Sequence, residues 1–101
     1  MKRVVATDFP ADPLVTQPEV LGAAIRAGRT QAGLKLEDAA ASLGMAVKTL
    51  SAIEAGKPGV EFGNVLRACV ALGVDLFAAP RARREMVRVR LAGLSPRKGS
   101  V

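Results

Sequence analysis

Apolar residues recur at helical spacing between residues 17 and 73, in four repeats that glycines separate. The first repeat falls at positions i, i+3, i+4 and i+7 of one helix face: Leu21, Ala24, Ile25 and Gly28. A capping-box sequence over residues 16–19 favours a start near residue 17, and Gly33 supplies a left-handed end. The pattern predicts a first helix over residues 17–32.

Three shorter repeats follow, and each ends at a glycine. Their apolar stripes comprise Leu36, Ala39, Ala40 and Leu43 in the second helix, Leu50 and Ile53 in the third, and Phe62, Val65, Leu66, Cys69 and Leu72 in the fourth. The second helix has only about two turns, and the third turns a face of small and polar residues outward. Four helices with short links therefore fill residues 17–72.

The two ends of the chain lack this pattern. Two prolines interrupt the first fifteen residues, which we predict to form an extended arm, with a short strand allowed at residues 2–6. Alternation with period two allows further strands at residues 74–78 and 86–91. The composition of residues 81–91 favours a fifth helix as the alternative. Residues 93–101 are predicted to be disordered.

The excess charge of the chain lies entirely in its last fifth. Residues 1–80 carry eight basic and eight acidic residues, whereas residues 81–101 carry seven basic residues and one acidic, which accounts for the net charge of +6. A basic extension on a neutral body favours a polyanionic partner, nucleic acid first and an acidic protein or membrane surface second. The alternative is that the extension has no such partner and that its arginines only keep it soluble. We therefore divide the chain into an arm (residues 1–15), a helical domain (16–79) and a basic C-terminal extension (80–101).

The residue inventory excludes several kinds of site. The chain has no histidine and one cysteine, Cys69, so it cannot form an intramolecular disulfide, a zinc finger or a histidine-dependent active site. Cys69 lies on an apolar stripe, where we expect it to be buried packing. No nucleophile with a base, metal-ligand set or cofactor motif can be assembled, so no enzyme, metal or cofactor is expected. No apolar run is long enough for a signal peptide or a membrane span, and we expect a cytoplasmic protein without a membrane partner.

The second and third helices, joined by Gly44-Met45-Ala46, have the pattern of a helix-turn-helix unit. The neighbouring motifs are Leu21-Gly22, Ile25-Arg26, Arg29, Gly33-Leu34, Ala39-Ala40, Leu43-Gly44, Leu50-Ser51, Ile53-Glu54, Gly56-Lys57 and Ala71-Leu72-Gly73-Val74. Together these residues, which span about 17–77, resemble the Cro/Xre-type, lambda-repressor-like DNA-binding family. The resemblance implies an all-α helix-turn-helix bundle of four to five helices, with short terminal strands allowed.

The resemblance also implies that the third helix is the recognition helix for double-stranded DNA. It places Val47, Lys48 and Ala52 at base edges, and Thr49 and Ser51 close to the DNA backbone. Lys48 is the only charged residue among them, and a lysine can donate to guanine O6 and N7. Val47 and Ala52 can only pack, for example against a thymine methyl group. This face should therefore discriminate weakly on its own.

Outside that helix the resemblance implies contacts to phosphate. Lys57, in the turn after the recognition helix, falls where the family contacts phosphate, and Lys35 and Arg26 could add contacts of the same kind. Arg29 and Glu54 resemble the family's interhelical ion pair, which is structural and not part of a binding site.

Two positions depart from the family pattern. Lys35 and Leu36 stand where the family usually has Ser or Thr followed by Gln, which cap the second helix and bind phosphate. Ala46 replaces the usual Ser or Thr before the recognition helix, which costs about 1 kcal/mol of helix stability. We expect modest DNA binding by the helical domain, which the basic extension could strengthen by releasing counterions.

These observations predict a sequence-specific transcriptional regulator, a repressor that binds operator DNA as a homodimer. One recognition helix contacts only a few base pairs, and a two-fold pair on adjacent half-sites multiplies its specificity. Residues 74–78 are the first candidate for the dimer surface, because an apolar strand there would have an exposed edge.

Two alternatives remain open. Small Xre-like chains with a strand after the fourth helix resemble the antitoxin partners of Hip-type kinase toxins, which repress their own operon; the arm and extension would then hold the toxin. The second alternative is a protein-interaction module without DNA binding, which the apolar Leu36, Val47 and Ala52 suggest.

Overall fold

Five α-helices follow one another along the chain, with irregular segments between them. The computed structural model describes residues 3–94. The helices are α1 (Pro18–Gln31), α2 (Leu36–Leu43), α3 (Val47–Glu54), α4 (Phe62–Ala71) and α5 (Arg84–Leu94), with a 3₁₀ turn at Arg81–Arg83 leading into the last. The predicted all-α fold is confirmed, and the four helices expected between residues 17 and 72 lie within two residues of their predicted ends.

No strand occurs in the part of the chain that the structure describes. Residues 3–6 and 74–78, where the sequence allowed strands, are irregular; Lys2 lies outside the described residues. A strand needs a neighbour to satisfy its backbone N–H and C=O groups, and neither segment has one. Residues 86–91 belong to α5, as the helical alternative predicted. The predicted disorder begins too early, because α5 runs to Leu94; residues 95–101 lie outside the described residues.

The core lies between α1, α2, α3 and α4. Its largest fully buried side chains are Ile25, Leu50 and Cys69, each predicted to point inward. Each large apolar side chain buried there contributes roughly 1.5–3 kcal/mol. Ala39 and Ala40 are almost completely buried, and their small side chains let α2 pack closely against its neighbours. Burial also raises the pKa of the Cys69 thiol, as expected for a cysteine that only packs.

Helix α4 is rotated relative to its predicted stripe. Cys69 and Leu72 are buried as expected, and Val65 packs against the core. Phe62 and Leu66, however, are exposed, although the spacing assigned them to the same stripe. The apolar surface of α4 is therefore wider than the face that the core covers.

The helix starts use few side-chain caps. Gln17, not Thr16, is the N-cap of α1, and it makes no side-chain cap hydrogen bond, so the predicted capping box does not form. The reason is Pro18, which takes the first helical position and leaves Thr16 one residue too early. Lys35 and Ala46 are the N-caps of α2 and α3, and neither makes a side-chain cap bond, as their residue types predict.

The N-terminal arm is bonded to the helices at two places. Near its start, the Thr7 amide donates to Thr30 Oγ1 of α1 at 2.9 Å, and Gln31 Nε2 donates to the Thr7 carbonyl at 2.8 Å. Further along, Asp12 Oδ2 accepts from Arg88 Nη2 of α5 at 3.0 Å. This hydrogen bond from Arg88 lowers the pKa of Asp12 below its usual range. The arm thus connects the first helix to the last.

Candidate nucleic-acid interface

The turn between α2 and α3 sets the angle at which α3 leaves the core. Gly44 ends α2 in the left-handed conformation, with φ 63° and ψ 36°, a region that costs other residues energy. Its amide donates to Ala41 O at 3.1 Å, and the Met45 amide donates to Ala40 O at 2.9 Å. The Met45 side chain packs against the core. These contacts close α2 and start α3 within three residues.

Helix α3 presents one face to the core and the other to solvent. Leu50 is fully buried and Ile53 is 4% exposed, so the inner face is anchored. On the outer face the structure exposes Val47, Lys48 and Ser51 and half-buries two more of the predicted contact residues, Thr49 and Ala52. The five residues predicted to lie along DNA therefore share one short helix, and the rest of the described chain leaves its outer face accessible.

A buried ion pair fixes the far end of α3. Arg29 Nε donates to Glu54 Oε2 at 2.6 Å, and Arg29 Nη2 donates to Glu54 Oε1 at 2.9 Å. The remaining nitrogen, Nη1, donates to the Leu34 carbonyl at 2.8 Å. The two side chains are only 10% and 8% exposed. This two-point contact is the predicted interhelical pair, and it joins the last residue of α3 to α1.

Four basic residues line one open groove between the arm, the end of α1 and the start of α2, and one of them, Arg29, is paired with Glu54. Arg26 and Lys35, both predicted phosphate contacts, line this groove of about 710 Å³ together with Arg3. Arg26 and Lys35 are exposed. Glu37 and Asp38 also line the groove, so its surface has mixed charge with an excess of bases.

Arg3 was not among the phosphate contacts predicted from the sequence, although it lines this groove. The arm has no periodic pattern from which its placement against α1 could be predicted. The only feature of the sequence that pointed to Arg3 was a basic side chain in a segment expected to be extended.

The structure places Lys57 apart from this basic groove. Its amide donates to the Ala52 carbonyl at 3.0 Å, which fixes its backbone directly after α3, and its side chain is exposed. It lies at the edge of a second, mostly apolar groove between the start of α1 and the α3–α4 turn. The predicted contact residues thus fall into three places: the outer face of α3, the basic groove and the turn after α3.

Other kinds of site have little support in the described residues. Residues 3–94 contain no cluster of three or more His, Cys, Asp or Glu side chains that could hold a metal ion. None of the helices in this range is long and apolar enough to cross a membrane.

Comparison with known proteins agrees with this geometry. Residues 20–86 match the family described as "Helix-turn-helix domain". A relative from Sinorhizobium fredii (strain NBRC 101917 / NGR234), named "Uncharacterized HTH-type transcriptional regulator y4mF", is 31% identical over 72 residues, which is 70% of this chain and 95% of the relative. A solved structure named "MDT Protein" has a TM-score of 0.60 at 18% identity, covering 67% of this chain and 96% of that chain, which shows a similar fold.

Proposed function

We propose that this chain, which belongs to the helix-turn-helix domain family, is a transcriptional regulator of the Cro/Xre type. In this proposal it binds operator DNA as a homodimer and represses transcription. The observation that carries the proposal is the outer face of α3, which is accessible while its inner face and its last residue are fixed to the core. A rigid helix with short exposed side chains fits the major groove without bulk that would block its approach.

Lys48 is the main base contact in this proposal. Its side chain is exposed on the outer face of α3 and can donate to guanine O6 and N7. Val47, which is 40% exposed, supplies apolar surface for a thymine methyl group. A good base contact discriminates by roughly 1–3 kcal/mol, so one lysine and one valine give each half-site modest specificity. Two copies on adjacent half-sites would raise it.

Phosphate contacts supply the rest of the binding energy. Lys57 follows α3 directly, and Arg26, Lys35 and Arg3 surround one groove at the start of α2. Contacts of this kind position a protein on the duplex without selecting a sequence. Arg81, Arg83 and Arg90 of the C-terminal extension are exposed and would add to them, and the binding should therefore weaken steeply with salt.

The antitoxin alternative loses one of the features that suggested it. It was based on a strand after the fourth helix together with the arm and the basic extension, and residues 74–78 form no strand. We therefore propose the regulator alone.

Selection of bound sequences from a random duplex pool tests the proposal. We expect an enriched site with two-fold symmetry and half-sites about one helical turn apart. Failure to enrich any sequence would support a protein-interaction module without DNA binding and would overturn the proposal.

Two lysine variants, each of which removes one positive charge, then distinguish the base contact from the phosphate contact. Lys48→Met should alter the selected sequence at one position of each half-site. Lys57→Met should weaken binding to every sequence and reduce the slope of log K against log salt by about 0.9 per monomer. Measurements of anisotropy on labelled duplex DNA over a range of salt concentrations give both quantities. An unchanged sequence preference in Lys48→Met would remove the assigned face.

A further inference from the structure

The solvent side of α4 carries a continuous apolar stripe. Phe62, Leu66 and Val70 are four residues apart along the helix and are 65%, 39% and 83% exposed. The spacing places them on one side of the helix, next to one another. Single exposed apolar residues are common, but a contiguous row on one helix is typical of an interaction surface.

The three residues of the stripe are uncharged, and Arg67 is the only charged residue within α4. Its guanidinium keeps its positive charge but is held by α2 and by its own helix, because Nη2 donates to the Leu43 carbonyl of α2 and Nη1 donates to Asn64 Oδ1 at 3.1 Å. Depletion of charge with large apolar side chains is the composition found at the centre of protein–protein interfaces. It is unsuited to phosphate, which needs donors.

We propose that this stripe is the homodimer interface, with α4 of a second copy packed antiparallel across it and Leu66 next to the two-fold axis. This inference rests on one part of the proposed function, namely that the chain forms a homodimer. It replaces residues 74–78, which offer no strand edge, as the dimer surface.

The order of side-chain sizes along the stripe favours a second copy of this chain. An antiparallel two-fold arrangement places the largest side chain, Phe62, opposite the smallest, Val70, at both ends, and Leu66 opposite Leu66 of the partner. The stripe is therefore complementary to itself, as an isologous interface requires. Side chains spaced four apart also form the ridge that most often interlocks when two helices cross.

The distribution of charge disfavours a competing apolar surface on α5. Met86 and Val89 are exposed there, but residues 81–90 contain five arginines. Two copies of a chain with net charge +6 would bring like charges together at α5. At α4 they would meet through a helix that contains one charged residue, Arg67.

Sedimentation velocity of the full chain, without DNA and over a range of concentrations, tests the interface. We expect the wild type to dimerise. Leu66→Glu should raise the dimer dissociation constant by about tenfold or more, because two carboxylates would face each other across the axis. Val89→Glu, which makes a matched change of charge at a more exposed apolar residue on α5, should leave the constant unchanged. Circular dichroism on each variant checks that it is folded.

A charge-pairing experiment tests the antiparallel register. Phe62→Glu and Val70→Lys should each weaken the dimer alone. Combined in one chain they should restore it, because the two new charges are opposite in sign and lie opposite each other at both ends of the stripe. A wild type that stays monomeric, a Leu66→Glu variant that dimerises normally, or a double variant without recovery would overturn the proposal.

The interface and the proposed function fail separately. Lys48→Glu should lose DNA binding and remain a dimer. A wild type that selects a DNA sequence and dimerises, but whose Leu66→Glu variant dimerises equally well, would overturn the interface alone. A dimer that selects no sequence would overturn the proposed function alone.

Discussion

Gly22 on α1 lies directly against the backbone of Glu54 at the end of α3. A Cβ at Gly22 would be 2.5 Å from the Glu54 carbonyl oxygen and 2.6 Å from that of Ile53. Both atoms belong to the helix backbone and cannot rotate away. About two turns further along α1, Arg29 holds the Glu54 carboxylate. Helix α1 therefore sets the position of α3 twice, once by close approach and once by charge.

Gly22→Ala should destabilise the fold by about 2 kcal/mol, because the added methyl group forces α1 and α3 apart. The effect opposes helix propensity, which favours alanine by about 1 kcal/mol. Gly63→Ala is the control, since a Cβ at this α4 residue meets no atom within 4 Å and should stabilise the fold. Urea unfolding followed by circular dichroism measures both, in a Leu66→Glu background so that self-association plays no part. If Gly22→Ala left the free energy of unfolding unchanged, the two helices would be able to separate easily.

Removing one partner of the buried ion pair should be costly. In Arg29→Met the Glu54 carboxylate stays buried without its partner, and we expect a loss of about 3 kcal/mol in the free energy of unfolding. The double variant Arg29→Met/Glu54→Leu should regain most of this loss, because no unpaired charge remains buried. Thermal and urea unfolding measure both variants. Glu85→Gln, which breaks an exposed ion pair with Arg88, should cause no measurable change. An equal cost for the single and double variants would show that packing, not charge, holds α3.

A side-chain cap at the start of α3 should stabilise the protein. Ala46 already has the extended backbone of an N-cap, with φ −66° and ψ 144°, but no side-chain oxygen. Ala46→Ser supplies one for the free amides of the first turn and should add about 1 kcal/mol. In a domain of this size that raises Tm by roughly 4–8 °C. Ala55→Ser makes the same change at the other end of α3, where no free amide needs an acceptor, and should leave Tm nearly unchanged. A similar Tm for both variants would contradict the cap.

The contact between the arm and α5 should weaken in acid. The pKa of Asp12 in the folded chain is lowered below its ordinary 3.8, first by the hydrogen bond from Arg88 and then by the Leu14 amide. The contribution of a carboxylate with a lowered pKa is present above its unfolded value and is lost as pH falls through the folded value. The contact should therefore be constant at neutral pH, begin to weaken only below the ordinary value of 3.8, and be lost as pH falls through the lower folded pKa.

NMR spectroscopy of the α5 amides checks this contact. In the wild type their resonances should shift at acid pH with a midpoint below the ordinary value of Asp12. Asp12→Asn should show the acid-state positions at neutral pH and no such titration. Asp75→Asn, at an exposed carboxylate in the segment after α4, should titrate like the wild type. A wild-type titration that persists in Asp12→Asn would assign the effect to another group.

The sequence predicted the helices of the core well because their positions depend on a repeating pattern. Ile25 and Leu50 recur at the helical period and are fully buried, as the spacing predicts. The pairing of Arg29 with Glu54 came from the family resemblance, since nothing in the spacing alone relates two residues 25 positions apart. The outward position of Lys48 followed from the inward position of its neighbours on the same helix.

The sequence could not predict features that depend on contacts without a period. The bond between Thr7 and Thr30 joins two segments whose polar residues have no shared pattern. The alternation at Val87 to Leu91 fits a strand and a helix equally; a helix forms because it satisfies its own backbone hydrogen bonds, whereas a strand there would have no partner. Phe62 and Leu66 have the spacing and side chains of core residues, but the spacing does not reveal how much of α4 the core covers, and both are exposed.

Because the two faces of α3 are separate, residues on its outer face can be changed without disturbing the core. Leu50 and Ile53 are enclosed by the core, whereas Val47, Lys48 and Ser51 contribute little to it. A library randomised at those three outer positions should consist mostly of folded proteins. Under the proposed function, selecting such a library against chosen duplexes should redirect the domain to new target sequences while its Tm stays close to that of the parent.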